Sequence, residues 1–254
     1  MHSVTAPDGT SIAYERHGDG HPVVLVHGTS GSRRSWRDVV PQFDGALAPV
    51  TIDRRGRGDS GDADEYALER ERADVLAVVD AVDGTPTLFG HSFGGLCALE
   101  AARGADIERL VLYEPAILTG QHREMDLADD LAARLADGDR RGVLRQFFEV
   151  AGGVPDAEAL PFWPDEVNFE AAETVVRENH AVEDYRLPAA PDPGVPVLLV
   201  RGEHSPQHLR DGVAALDDRI DDARLVDLDG VGHSAIASAP GRLVADVESF
   251  VAET

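Results

Sequence analysis

Gly90-His91-Ser92-Phe93-Gly94 sets a serine hydroxyl between two glycines. The apolar run Pro86-Thr87-Leu88-Phe89 leads into it, and the small-residue stretch from Gly95 to Ala102 follows. That setting predicts a strand, a tight turn and a helix. In G-x-S-x-G the glycines let strand and helix crowd together, so the turn can hold the serine strained and exposed at the sheet edge. The chemistry this suits is attack of a hydroxyl on a carbonyl carbon. A serine hydroxyl is a weak nucleophile until a base takes its proton, and the tetrahedral oxyanion needs preorganised donors. The backbone N–H of Phe93, next after the serine, is placed to be one such donor. The plainer reading is a serine capping an ordinary helix.

Three other segments accompany this one. Val23-Val24-Leu25-Val26 runs into His27-Gly28-Thr29-Ser30-Gly31. Val50-Thr51-Ile52 precedes Asp53-Arg54-Arg55-Gly56-Arg57-Gly58-Asp59-Ser60, a D-x-R-G-x-G-x-S turn. Late in the chain, Gly232-His233-Ser234 follows the strand-like Arg224-Leu225-Val226-Asp227-Leu228. In this order, over nearly the whole chain, these pieces resemble the α/β-hydrolase family. The resemblance implies an α/β fold: a mostly parallel central sheet with helices on both faces and a helical cap inserted into it. It also implies His233 as the base and the amides of Thr29 and Phe93 as the oxyanion hole. His27 is expected to brace its loop, and His91 to be a turn residue.

The third triad member departs from the common family pattern, an aspartate in a G-x-x-D segment after the penultimate strand. Here Val197-Leu198-Leu199-Val200 leads into Gly202-Glu203-His204-Ser205, so a serine fills the acid's position. Ser205 cannot carry the charge that stabilises an imidazolium. Some relatives keep the acid one strand earlier, where Leu110-Val111-Leu112-Tyr113 ends in Glu114. Glu114 is therefore the candidate acid, with Glu203 and Asp229 as alternatives, and with a rim charge as the non-catalytic reading of Glu114.

The chain has 254 residues, suited to one α/β domain with one insertion. No apolar run reaches the ~18 residues of a membrane span. The start, Met1-His2-Ser3-Val4-Thr5, reads as a strand rather than a signal peptide, so a cytoplasmic enzyme is expected. The single Cys97 excludes an internal disulfide and reads as core packing. No metal-ligand spacing and no strand-to-helix G-x-G-x-x-G that would imply a cofactor is present, and no cofactor is expected. Arg54, Arg55 and Arg57 are expected to brace their turn by pairing with Asp53 and Asp59.

Strand and helix patterns alternate along the chain, as in a parallel sheet covered on both faces. An opening antiparallel pair is expected around Val4-Thr5 and Ile12-Ala13-Tyr14, turning at Pro7-Asp8-Gly9. A helix follows near Ala73 to Val82, and an amphipathic one closes the chain through Leu243, Val244, Val247, Phe250 and Val251. The core is thus 1–116 with 191–254. The stretch 117–190 is too long for a plain loop and is expected to be the helical cap. Leu127, Leu131 and Leu135 share one helix face there; Val143, Leu144, Phe147 and Phe148 repeat the spacing, and a third helix is expected near Val167 to Val176. Phe162 and Trp163, set among prolines, are the candidates for lining a substrate pocket.

These features are best met by a serine hydrolase acting on a small-molecule carboxylic ester or lactone through an acyl-enzyme. Carbon–carbon bond hydrolysis or perhydrolysis at the same site, or a non-catalytic ligand-binding protein, are the other readings; the oligomeric state is open. A serine nucleophile argues against the relatives that use an aspartate on alkyl halides or epoxides.

Acidic residues number 47 against 23 basic ones, all arginine, for a net charge of −24. Such a balance disfavours nucleic acid and anionic membranes as partners. It also destabilises the compact state by self-repulsion, which molar salt screens by shortening the Debye length to about 3 Å. A halophilic cytosol is therefore expected. The urea midpoint of unfolding should rise between roughly 0.1 and 2 M KCl, the range over which screening becomes complete; a flat or falling midpoint would sink the idea.

Overall fold

In the central strands alternate residues face opposite sides, and both sides are apolar. The computed structural model describes residues 1–253. Its strands are β1 (His2–Thr5), β2 (Ser11–Arg16), β3 (His21–Val26), β4 (Leu47–Ile52), β5 (Thr87–His91), β6 (Arg109–Tyr113), β7 (Val197–Gly202) and β8 (Ala223–Leu228). Its helices are α1 (Leu68–Ala81), α2 (Phe93–Ala102), α3 (Leu127–Ala136), α4 (Arg140–Val150), α5 (Ala172–Asp184), α6 (Gln207–Asp217), α7 (Ala235–Ser238) and α8 (Pro240–Ala252). One eight-stranded sheet runs in the order β1-β2-β4-β3-β5-β6-β7-β8. The β1–β2 and β2–β4 pairs are antiparallel, and the rest are parallel. This is the fold expected from the sequence, with the opening hairpin in place.

Period-two side-chain alternation divides the core into two layers. Val24 and Val26 of β3, Leu88 of β5, Leu110 and Leu112 of β6, and Leu199 of β7 face α1, α2 and α6. Val23, Leu25, Phe89, Val111 and Leu198 face the other way, against Trp36 and the α8 residues Leu243, Val244, Val247 and Phe250. Each such side chain, fully buried, contributes roughly 2 kcal/mol. Cys97 is a free, buried member of the first layer. Helix α6, whose Leu209, Val213 and Leu216 recur at helical spacing, was not anticipated by the sequence reading.

Between β6 and β7 the chain leaves the sheet and builds α3, α4 and α5 around a third, separate apolar cluster that includes Leu127, Leu131, Val143, Leu144 and Val175. The third helix of this insertion lies further along than its expected place near Val167 to Val176. A short helical turn, Phe169–Ala171, precedes it, capped by the Asn168 side chain accepting from Glu170 N. That cap starts the helical geometry late and carries it on to Asp184.

Helix α2 comes unusually near the sheet, because its first turns are built from glycine and alanine. An ideal Cβ on Gly94 would lie 2.3 Å from the Val26 carbonyl oxygen, and one on Gly90 would lie 2.4 Å from the Gly94 carbonyl oxygen. These are backbone atoms, which cannot step aside. Gly94→Ala should therefore lower the unfolding free energy by about 3 kcal/mol, measured by urea titration. A loss under about 1 kcal/mol would mean that the helix can slide away from β3.

Candidate active site

The turn between β5 and α2 carries Ser92 at φ 56° and ψ −126°. Among the described residues only three non-glycines have positive φ, and all three gather here: Ser30, Ser92 and Glu114. Such backbone is held by surrounding structure at a cost of order 1–3 kcal/mol each, and it concentrates at functional sites. Hydrogen bonds hold it here. Ser92 N donates to the Tyr113 carbonyl at 3.0 Å, while the Ser92 carbonyl accepts from Gly95 N at 2.8 Å and Ala116 N at 3.0 Å. Phe93 begins α2, so its N–H belongs to the helix's first turn, where amides have no partner within the helix and the dipole favours negative charge.

Glu114 follows β6 directly and is fully buried. One carboxylate oxygen accepts from Gly202 N at 2.7 Å and the other from His233 Nδ1 at 2.6 Å. A carboxylate can only accept, so Nδ1 carries the proton and Nε2 is left as the acceptor. Ser92 and His233 line the same cavity. Glu203 and Asp229 are exposed, and the Glu203 carboxylate accepts from Gly230 N at 2.8 Å on the surface. Ser205 is buried beside Gly202 with its hydroxyl unpaired. The Gly202 amide is taken by Glu114 instead.

Two residues hold His233: Tyr113, which the sequence did not single out, and His91, expected there only as a turn residue. The Tyr113 hydroxyl donates to the Gly232 carbonyl and accepts from Ala235 N at 3.2 Å, so it grips the chain on both sides of the histidine. Burial, and then the Glu114 charge, push this phenol far up, keeping it a donor. The signal lay in plain view: a tyrosine immediately before the candidate acid, at the end of a strand. The His91 ring lies tilted against that of His233 with centroids 4.5 Å apart, and its Nε2 donates to the His233 carbonyl at 3.0 Å. Burial holds His91 well below its usual range, with His233 adding to the effect, so it stays neutral beside that imidazole.

The loop after β3 approaches from the other side. An ideal Cβ on Gly28 would lie 2.9 Å from Ser92 Cβ, so glycine is needed there to bring the Thr29 amide close to the serine. His27 braces that loop as expected: Nδ1 donates to the Gly28 carbonyl at 2.8 Å, and Nε2 accepts from Arg54 N at 3.1 Å. Burial, with Arg54 next, keeps its pKa well down.

The arginines of the following turn pair differently from expectation. Asp53 and Asp59 are held by Arg33, from the loop after β3, rather than by Arg54, Arg55 or Arg57. Arg54 forms a fork with Glu71 of α1, at 3.1 and 3.0 Å, and also meets Glu178 of α5. Arg57 reaches Glu178 at 2.8 Å, and Arg55 pairs with Asp74 at 2.7 Å and with Asp8. The turn points its guanidiniums toward distant carboxylates, which balance them, while the buried Asp53 is taken up by Arg33 and by Asp59 N.

A cavity of about 930 Å³ lies between the strand ends and the inserted helices. Gly28, Thr29, Ser92 and His233 line its floor, and Phe147, Phe148, Leu160 and Phe162 line the opposite side. Phe162 is thus among the residues that line the cavity. Trp163 is not among the lining residues. It is 9 % exposed and packs inside the insertion's own cluster, edge-on to Phe169 and under the Arg141 guanidinium. Its indole fills the gap between α4 and the turn before α5, so packing overrides the pocket role. His208, at the start of α6, also lines the cavity and was not anticipated.

The model of the alpha/beta hydrolase family matches residues 23–247. The chain belongs to that family. This hydrolase-family chain is 30% identical over 257 residues to the lipase LipV of Mycobacterium tuberculosis, covering 92% of this chain and 95% of LipV. It is 31% identical over 131 residues to a haloalkane dehalogenase of Agrobacterium fabrum, a match that spans only 43% of that protein. Among solved structures, an alpha/beta hydrolase from Sphaerobacter thermophilus superposes with a TM-score of 0.83 at 34% identity, over 96% of this chain and 99% of that one.

Burial, with His233 and His122 next, pushes His208 from its usual 6.5 down to about 4. The unfolded chain therefore binds this proton more readily between those two values. The stability that His208 contributes is complete above about 6.5 and is lost as the pH falls toward 4. His27 and His91 act in the same sense. His208→Gln should flatten the slope of unfolding free energy against pH across this window, read from urea titrations; an unchanged slope would assign the acid sensitivity to other groups.

Proposed function

We propose that this protein is a serine hydrolase that cleaves the carboxylic ester or lactone of a small molecule through an acyl-enzyme. The buried Glu114–His233 contact, with Ser92 on the same cavity, is the observation that carries the reading. His233 Nε2 takes the Ser92 proton as Oγ attacks the substrate carbonyl carbon, and the carbonyl π pair moves to oxygen. The amides of Phe93 and Thr29 receive that oxyanion, each contributing roughly 3 kcal/mol to the transition state. Glu114 stabilises the imidazolium and holds its tautomer. Collapse expels the alcohol, which takes the proton from His233. Water then repeats the attack on the acyl-enzyme and releases the acid.

The inserted helices act as the cap in this reading. Their aromatic side, Phe147, Phe148 and Phe162, faces the catalytic floor, which favours an apolar or aromatic substrate group. Trp163 holds the cap together. The hydroxyl nucleophile favours acyl transfer over the dehalogenation named for the Agrobacterium relative. The lipase name of the full-length Mycobacterium relative points the same way. No helix among the described residues is long and apolar enough to cross a membrane.

A fluorophosphonate probe followed by intact mass should add once to the native chain and not to Ser92→Ala. On short-chain 4-nitrophenyl esters, Glu114→Gln should lower kcat by roughly 10⁴-fold with the fold intact, since an amide cannot stabilise the imidazolium. No adduct on the folded native chain would turn the reading toward a ligand-binding protein, and undiminished Glu114→Gln activity would move the acid's role elsewhere.

A further inference from the structure

Four charged side chains lie buried together beside the catalytic floor, and the proposed reaction uses none of them directly. Arg54, Glu71 and Glu178 are fully buried, and Arg57 is 2 % exposed. They come from three places in the chain: the turn after β4, helix α1, and helix α5 of the cap. Two guanidiniums meet two carboxylates, so the cluster is neutral as a whole.

Arg54 is its centre, and it touches both sides of the oxyanion hole. On one side its backbone N–H donates to His27 Nε2, and its Nη1 donates to the His27 carbonyl at 3.3 Å. His27 precedes Gly28 and Thr29, so these bonds fix the level of the loop that presents the Thr29 amide. On the other side, the guanidinium lies 4.6 Å from the centroid of the Phe93 ring. Phe93 supplies the second amide. One planar cation thus spaces the two donor-bearing segments.

What holds Arg54 in place is partly the cap. Glu71 of α1 takes one edge of the guanidinium as a fork, and Glu178 of α5 takes the remaining Nη2 direction. Burial works against ionisation of Glu178, yet Arg54 and then Arg57 hold its carboxyl below the usual range. Its charge is therefore present in the folded protein. Loss of that charge leaves two buried guanidiniums facing only Glu71, and Arg54 has reason to shift toward the one carboxylate left.

We infer that Arg54 and Glu178 are positioning residues for the oxyanion hole, so that seating of cap helix α5 sets the spacing of the Thr29 and Phe93 amides. This inference rests on the hydrolase reading above. It predicts a loss specific to the tetrahedral state. Of the four, Arg57 alone lines the cavity, so substrate binding against the apolar cap wall should persist in Glu178→Gln.

The test uses the full chain as Glu178→Gln and as the charge-balanced Arg57→Gln/Glu178→Gln, which leaves Arg54 opposite Glu71 and guards against a variant that fails to fold. Native-like circular dichroism selects the variant to be read. On a 4-nitrophenyl ester, kcat should fall about tenfold, a fraction of the loss for deleting an oxyanion donor outright, with KM unchanged within about twofold. A trifluoromethyl ketone, which adds Ser92 Oγ to its carbonyl and places an oxyanion in the hole, should lose affinity by the same factor as kcat/KM. Glu178→Asp should recover part of both. A folded variant with native kcat and native inhibitor affinity overturns the inference while the hydrolase reading stands. If the native chain neither hydrolyses esters nor takes the fluorophosphonate label, the hydrolase reading fails and takes this inference with it.

Discussion

Helix α2 lies against the end of β3 with no side chain between them, since a Cβ at Gly94 would meet the Val26 carbonyl oxygen at 2.3 Å. The rest of the site depends on that approach. It turns the chain so sharply at Ser92 that the backbone enters the left-handed region, and it sets the first amide of the helix beside the serine hydroxyl. The same closeness recurs at Gly28, whose missing side chain lets the loop after β3 come against Ser92 Cβ. Backbone atoms have no rotamers to relieve a clash. A contact made of them is rigid, and rigidity is what an oxyanion site needs, because its donors must already be in place when charge develops.

A second layer of order is ionic. In a low-dielectric interior a balanced set of charges adds little net stability, but removing one partner strands the others at about 3–5 kcal/mol. Arg54, Arg57, Glu71 and Glu178 therefore behave as one unit, whose charges are removed without that cost only in balanced pairs. Their members join the turn after β4, α1 and the inserted helices, so this unit ties the insertion to the core. Exposed cross-links such as Arg177–Asp62 at 2.8 Å lie between the insertion and the core as well, and these contribute far less.

Much of this architecture can be read before any coordinates exist. Central strands buried on both faces appear as short apolar runs, and Ser92, His233 and Glu114 each stand just beyond such a run or in the loop that follows one. The elbow is legible because glycine has a single reason to flank a serine there. The arginine pairing is not legible. Arg54 and Glu178 are 124 residues apart, and only the packing of α5 onto the turn after β4 joins them. Nearby Asp53 and Asp59 were the natural partners by sequence, yet the turn directs the guanidiniums inward. Trp163 failed for a related reason: beside Phe162 in the sequence, it faces a different environment because successive residues in an irregular segment have no shared face. Helix α6 was legible in Leu209, Val213 and Leu216 at helical spacing and was passed over, and α5 began late because Asn168 capped a turn ahead of it.

The hydrogen bond from Ser92 N to the Tyr113 carbonyl joins the residue bearing the hydroxyl to the strand end bearing the carboxylate. Ser92 and Glu114 therefore belong to one rigid ruler, laid across two neighbouring strands of the sheet. His233 comes instead from a loop, attached through Tyr113, His91 and Glu114 itself. Changes that bend or twist the sheet carry Ser92 and Glu114 together and leave their separation alone, whereas changes around Gly232 and Ser234 alter the arm of the triangle that is free to turn. Drift in the sheet's sequence is accordingly silent to the chemistry, and the few residues on either side of the imidazole are where natural variation would tune it.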